Sequence, residues 1–145
     1  MFSTILWATD GSPEADHALD EALELLAPGG RLIAFHADQR FVGSHVAGIP
    51  VYPDEPGRKE RIAEQVHDLR ERGIDAELFV ETTSGSPATA IADAAVDSGA
   101  EVIVCGTRAL HGVRGLLDAS VAAKILRTAT VPVVVVPPAK VPAAV

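Results

Sequence analysis

The chain has 145 residues, of which 48% are hydrophobic and 22% are charged, and its mean hydropathy is +0.22. This composition excludes a disordered, collagen-like or disulfide-framework protein and fits one globular domain, which we place at residues 1–138 with a short tail at 139–145. The 20 acidic and 12 basic residues give a formal net charge of -8, which disfavours binding to nucleic acid or to anionic membranes.

Strand and helix patterns alternate along the chain. Short apolar runs bounded by turn residues predict strands at 4–8, 31–37, 76–80, 101–106 and 131–136. Helical spacing of apolar residues predicts helices from Pro13 to a stop at Pro28, from 58 to 72, from Pro87 to Gly99 and from 120 to 128. Ser12 and Ser86 are suited to cap the first and third helices. Residues 38–57 have no clear period and are predicted to form a long loop.

This alternation predicts an α/β fold in which helices cover both faces of a parallel sheet. In open sheets of this kind, ligands bind outside the carboxyl ends of the strands, where the strand order reverses. Asp10 follows the first predicted strand, while Gly106 and Arg108 lie at the end of the fourth. Glycine lets backbone amides approach a phosphate closely, although a glycine here is equally expected in an ordinary surface turn.

Three separated segments resemble the universal stress protein family, and they occur in the order typical of that family. They are ATDGSPEADHAL after the first strand, GTRALHGVRGLLDASVAAKIL after the fourth, and VPVVVV at the last strand. The resemblance covers essentially the whole chain. It implies a single five-stranded open parallel sheet with strand order 3-2-1-4-5, usually dimeric, in a family where one branch binds ATP and another does not.

In the branch that binds ATP, the phosphate loop is Gly, two residues, Gly, nine residues, Gly and then Ser or Thr. Gly106 and Ser120 match this pattern, whereas Ala109 and Ala119 replace two of its glycines. The resemblance also implies that Asp10 faces the ribose and that the backbone of Ala37 meets the adenine. The nucleotide site implied in this way comprises Thr9, Asp10, Ala37, Gly106, Arg108, Ala109, Ala119, Ser120 and Val121.

The chemistry of several of these residues leaves alternatives open. Asp118 places a carboxylate beside the expected phosphates, which would repel them unless a magnesium ion bound with the nucleotide lies between. Asp10 is also a common turn-forming residue before a helix. His36, which ends an apolar run, is more typical of a hydrogen-bonded structural group than of a catalyst.

Two functions are therefore compared. The first is a stress-response regulator that binds an adenine nucleotide, expected to be ATP with magnesium. The second is a nucleotide-independent dimeric interaction module whose phosphate loop is degraded by Ala109 and Ala119. An enzyme finds little support beyond slow ATP hydrolysis, because neither a nucleophile triad nor the GKS or GKT of a P-loop is present.

The last predicted strand indicates how the chain assembles. It is strongly apolar and, in the implied order, forms an edge of the sheet. We expect a homodimer joined antiparallel through Val131, Val133, Val134, Val135 and Val136. The alternative is that the tail at 139–145 covers this edge.

The N-terminal segment and the single cysteine indicate the compartment. No basic segment precedes the first apolar stretch, and no apolar run approaches the roughly 20 residues that a membrane-spanning helix needs. Cys105 lies in an apolar run and cannot form an internal disulfide, which is compatible with a reducing environment. We therefore expect a cytoplasmic protein.

Overall fold

Two helices lie on each face of a five-stranded sheet. The computed structural model describes residues 1–39, 45–46, 49–50, 57–83, 85–107 and 121–138. The strands in these ranges are β1 (Phe2–Ala8), β2 (Leu26–Gln39), β3 (His45–Val46), β4 (Ile49–Pro50), β5 (Asp75–Thr83), β6 (Val102–Gly106) and β7 (Val133–Val136). The helices are α1 (Pro13–Leu25), α2 (Arg58–Glu71), α3 (Pro87–Ser98) and α4 (Val121–Thr128).

The main sheet has the order β5-β2-β1-β6-β7, and all its neighbouring strands are parallel. Numbered among themselves, these five strands stand in the order 3-2-1-4-5, which confirms the predicted topology. The register places Ala8 of β1 between Phe35 of β2 and Cys105 of β6. β3 and β4 form a separate antiparallel pair inside the segment that was predicted to be a loop.

Each face of the sheet has its own apolar cluster. On one face, Trp7 of β1 packs in a cluster with Ala18 of α1 and Leu69 of α2. On the other face, the cluster includes Ile91 of α3 and Ile125 of α4. The central strands are therefore buried on both sides, which explains why their sequences are continuously apolar rather than alternating.

The start of α1 follows the capping pattern seen in the sequence. The Ser12 hydroxyl accepts a hydrogen bond from the Ala15 amide at 3.3 Å, and Pro13 occupies the first turn of the helix. The start of α3 differs, because Ser86 stands at the cap position but its side chain makes no capping hydrogen bond. The prediction of equivalent caps is therefore correct in position and wrong in chemistry at Ser86.

Strand β2 begins five residues earlier than the sequence predicts. Phe2 pairs with Leu26, Thr4 pairs with Arg31, and the register shifts between them. Gly29 adopts a left-handed φ of 75° in the extra length of β2, a conformation that glycine adopts without steric cost. Pro28 and Gly29 therefore form an irregularity inside the strand and do not lie outside it.

Strand β7 is shorter than predicted, because it starts at Val133 and not at Val131. Pro132 has no amide hydrogen to donate, although its carbonyl still accepts a hydrogen bond from the Ile103 amide at 2.9 Å. Val131 thus precedes the strand. Among the helices in the described part of the chain, none is both long and apolar enough to cross a bilayer.

Candidate functional site

The strand order reverses between β1 and β6. From β1 the chain passes through α1 to β2 on one side, and from β6 it passes to β7 on the other side. The helices α1 and α4 that follow these two strands lie on opposite faces. Where connections diverge in this way, α/β sheets commonly bind ligands outside the carboxyl ends of the strands, so the ends of β1 and β6 define the candidate crevice.

The turn after β1 is held by its own side chains. The Thr9 amide donates to the Phe35 carbonyl at 2.9 Å, and the buried Thr9 hydroxyl accepts from the Gly11 amide at 3.1 Å. The Asp10 Oδ1 atom accepts from the Ser12 amide at 2.9 Å. Asp10 therefore has the turn-forming role that the sequence offered as an alternative, and this turn lies at the carboxyl end of β1.

Glycine is required at position 11 for two reasons. Its φ is 77°, in the left-handed region that other residues rarely adopt. A Cβ atom there would also lie 3.1 Å from the Cβ of Arg58 and 3.3 Å from the Arg58 carbonyl oxygen. The turn after β1 and the start of α2 are consequently in close contact.

The end of β2 carries two buried polar residues on either side of Ala37. His36 is 1% exposed, and its Nδ1 atom lies 2.9 Å from the Thr9 carbonyl oxygen, so that nitrogen carries a proton and donates. Asp38 is also buried and forms an ion pair with Lys59, whose Nζ atom is 2.5 Å from the carboxylate. His36 is therefore the hydrogen-bonded structural group that the sequence favoured, whereas Asp38 and Lys59 were not singled out.

Gly106 ends β6 directly against the backbone of α1. A Cβ atom at this position would lie 2.4 Å from the Glu14 carbonyl oxygen and 2.8 Å from its carbonyl carbon. Both distances are shorter than non-bonded atoms allow, so only glycine fits with α1 in this position. The glycine at 106 therefore has a packing explanation that holds with or without a bound phosphate.

The first turn of α2 reaches over the turn after β1. The Arg61 Nη1 atom donates to the Gly11 carbonyl at 2.7 Å, and Arg58 Nη1 lies 3.4 Å from the Asp10 carbonyl oxygen. Arg61 also forms an ion pair with Asp16 of α1. The hydrogen bond from Arg61 to the Asp16 carboxylate raises the pKa of Arg61 above its ordinary value.

Sequence reasoning missed this contact, although a signal was present. Arg58, Lys59 and Arg61 all lie in the first turn of α2, where positive charge is unfavourable because it opposes the helix dipole. Contacts elsewhere in the protein can offset this cost, as can the negative charge of Glu60 in the same turn. Here those contacts are to the two strand ends described above.

The structure brings Thr9, Asp10, Ala37 and Gly106 together at the end of the sheet where β1, β2 and β6 have their carboxyl ends. Val121 is the first residue of α4 and its side chain is exposed. The remaining predicted positions lie outside the described residues: Arg108, Ala109, Asp118, Ala119 and Ser120. Within the described ranges, no group of three His, Cys, Asp or Glu side chains is arranged to hold a metal ion.

Cys105 is buried near the carboxyl end of β6, on the face of the sheet that α3 and α4 cover. Burial raises the pKa of its thiol from 9.0 to about 11. As the pH rises above 9, the unfolded chain loses the thiol proton first, so folding stability should fall with rising pH until the folded thiol also ionises near 11. The full shift corresponds to about 3 kcal/mol.

We therefore expect the native protein to lose about 2 kcal/mol more unfolding free energy than Cys105→Ala between about pH 8 and about pH 10.5. Denaturant titration at both pH values measures this difference. An identical pH dependence of the two proteins would show that the thiol stays neutral in both states or ionises equally in both.

Comparisons with known proteins match one family over nearly the whole chain. The model of the universal stress protein family matches residues 1–137. A universal stress protein from Thermus aquaticus, named for its position in the QAH/OAS sulfhydrylase 3' region, is 34% identical over 94% of this chain and 99% of its own length. A solved structure from the same family in Burkholderia pseudomallei is 29% identical, covers 94% of this chain and 96% of its own, and has a TM-score of 0.65.

Some solved relatives carry nucleotides. One universal stress protein structure, 24% identical with a TM-score of 0.66 over 93% of this chain and 96% of its own, is a complex with cAMP. Others are a dAMP complex from Archaeoglobus fulgidus and an AMP complex from Arabidopsis thaliana, which are 21% and 16% identical with TM-scores of 0.62 and 0.65. These two alignments cover at least 92% of every chain involved. At such identities the likeness establishes a shared fold, and with the match over residues 1–137 it follows that this chain belongs to the universal stress protein family.

Proposed function

We propose that this protein is a stress-response regulator that binds an adenine nucleotide, ATP above all, in the crevice at the ends of β1 and β6. The observation that carries the proposal is the meeting of Asp10, Ala37 and Gly106 at the point where the strand order reverses. The complexes of related structures with cAMP, dAMP and AMP support an adenine nucleotide as the ligand class. A cytoplasmic location belongs to the same proposal and is supported by the buried free thiol of Cys105.

The backbone of Ala37 is suited to recognise adenine. The Thr9 amide donates to the Phe35 carbonyl, so by the alternation of a parallel ladder Ala37 directs its amide and carbonyl toward the side of β1 as well. β1 itself ends at Ala8, and the carbonyl of Thr9 is bonded to the His36 ring. A planar base edge could therefore hydrogen-bond to Ala37 where the neighbouring strand has left the sheet.

The identity of a bound nucleotide can be measured directly. The native protein, purified and then denatured, should release an adenine nucleotide that mass spectrometry identifies, and calorimetry should show binding of ATP in preference to GTP. Asp10→Ala should weaken this binding, because it removes the carboxylate proposed to face the ribose. Absence of any released nucleotide, together with no heat of binding for ATP or AMP, would overturn the proposal.

Replacing both Ala109 and Ala119 by glycine should tighten ATP binding about thirtyfold. Each alanine is expected to cost about 1 kcal/mol if its backbone must adopt a strained conformation around the phosphates, and its methyl group is also expected to take up phosphate space. Calorimetry on the double variant and the native protein measures the change. Equal or weaker affinity in the double variant would show that these alanines do not limit the site.

Asp118→Asn is expected to strengthen ATP binding in magnesium-free buffer, because it removes a negative charge beside the phosphates. With magnesium present the improvement should be smaller, since the cation already offsets that repulsion. AMP provides the control, because its single phosphate brings less charge toward the loop. An equal effect on ATP and AMP would place Asp118 away from the distal phosphates.

A second candidate, the nucleotide-independent interaction module, is favoured by the position of β7 as the last strand of the described sheet. We infer that the protein forms a homodimer through this strand, with Val131, Val133, Val134, Val135 and Val136 at or beside the contact. In the described part of the chain, β7 pairs with β6 on one side only. No charged residue interrupts 131–136 to discourage pairing with a second chain.

The hydrogen bonds of β7 identify which residues face outward. Pro132 and Val136 accept hydrogen bonds from the Ile103 and Thr107 amides, so the even-numbered residues direct their backbone groups toward β6. By alternation, Val133 and Val135 direct theirs away from the sheet. This short row of outward groups suits a closed two-fold contact, because Pro137 ends the ladder.

A further inference from the structure

We propose that the first turn of α2 is a clamp in which Lys59 and Arg61 act as positioning residues for the two strand ends that line the crevice. The consequence for ligand affinity rests on the proposed nucleotide binding, whereas the clamp itself is a property of the chain without ligand. From the sequence, α2 was predicted only to pack an apolar face against the sheet. Its polar contacts give it a second role at the candidate site.

Arg61 holds the end of β1. Its Nη1 atom donates to the Gly11 carbonyl at 2.7 Å, and its guanidinium pairs with Asp16 one turn into α1. The side chain of Gln65, one turn along α2, donates to the same Asp16 carboxylate at 2.7 Å. One turn of α2 therefore fixes both the turn that carries Asp10 and the helix that follows it.

Lys59 holds the end of β2. Its Nζ atom lies 2.5 Å from the carboxylate of Asp38, which is 4% exposed. Asp38 is the next residue after Ala37, whose backbone is proposed to meet the adenine. A cation beside a carboxylate this deeply buried offsets the cost of its desolvation and localises it, and through it the strand end.

The two contacts come from residues two apart in one helical turn, so α2 links the ends of β1 and β2 as one unit. The positive charges of Lys59 and Arg61 oppose the helix dipole, and the negative charge of Glu60 in the same turn partly offsets them. A group positioned in advance of binding reduces the ordering that a ligand must impose. By reciprocity, a bound nucleotide should in turn stabilise the first turn of α2.

The test compares Lys59→Met, which breaks the ion pair to Asp38 of β2, with a matched variant that breaks a different ion pair of β2. Arg31 forms an ion pair with Glu77 of β5 near the opposite end of β2, so Arg31→Met removes a cation of the same sheet far from the crevice. Amide hydrogen exchange measured by NMR should become about tenfold faster or more at Thr9, Gly11 and Asp38 in Lys59→Met and remain unchanged there in Arg31→Met. AMP affinity should fall by about tenfold in Lys59→Met only.

Lys59→Arg should restore both exchange protection and affinity, which a general loss of packing would not predict. If Lys59→Met fails to fold because it removes the cation beside the buried Asp38 carboxylate, the Asp38→Asn/Lys59→Met double variant breaks the same link without that charge. Exchange at the three amides indistinguishable from that of Arg31→Met would overturn the clamp. Native protein that binds no nucleotide but shows the expected exchange pattern would overturn the proposed function and leave the clamp supported.

Discussion

Gly106→Ala is expected to lower the free energy of unfolding by about 3 kcal/mol, near the upper end of the usual cost of overpacking. The added Cβ atom would lie 2.4 Å from the Glu14 carbonyl oxygen, and that oxygen belongs to the backbone of α1. No side-chain rotation can relieve this contact, so α1 must move away from β6. The shift would also move the turn that carries Asp10 and widen the crevice.

Gly85→Ala is the matched control for this change. It adds the same methyl group, but the closest atom to the new Cβ would be the Thr83 hydroxyl oxygen at 3.6 Å, an ordinary contact. We expect it to change the unfolding free energy by less than about 0.5 kcal/mol. Denaturant titration of both variants measures the difference, and equal effects at the two positions would contradict the observed packing of α1 on Gly106.

Val135→Pro is expected to convert a dimer into a monomer while leaving the fold intact. Proline removes the amide hydrogen of Val135, which points away from the sheet, and leaves the hydrogen bonds between β6 and β7 in place. Sedimentation velocity should give a native particle of twice the 15.1 kDa chain mass and a variant of single mass. Circular dichroism should show unchanged helix and strand content.

Val135→Ile is the control for the dimer, because it keeps both the outward amide and a β-branched apolar side chain. It should remain dimeric. A lysine at Val134 or Val135 is a poorer test, since both side chains are half-buried against the apolar clusters and a charge there would also disturb the monomer. If the native protein is a monomer, the dimer proposal is wrong. If Val135→Pro remains a dimer, the interface does not lie at β7.

The fold was largely predictable because its determinants are local. Buried parallel strands require continuous apolar runs, and Ser12 with Pro13 sets the start of α1 through a cap that the structure reproduces. The strand order came from the family resemblance and not from periodicity. Boundaries were less predictable, since a strand can pass through Pro28 and Gly29 when its partner strand shifts register.

The contacts around the site were not predictable, because they join residues far apart in sequence. The chain separates Lys59 from Asp38 by 21 positions and Arg61 from Gly11 by 50. A glycine at 106 fits a phosphate loop in the sequence, and only the approach of α1 shows that packing alone demands it. The basic residues in the first turn of α2 were visible in the sequence, but only the three-dimensional structure shows that they contact the ends of β1 and β2.

The central claim is that an adenine nucleotide binds at the carboxyl ends of β1 and β6. The most direct test is an NMR titration of isotope-labelled native protein with AMP, which carries the adenine and ribose but needs little of the phosphate loop. We predict saturable shifts of the amide signals of Thr9, Asp10, Ala37 and Gly106, with little change in the signals of β5. No shifts at millimolar AMP, or shifts confined to residues away from this edge, would contradict it.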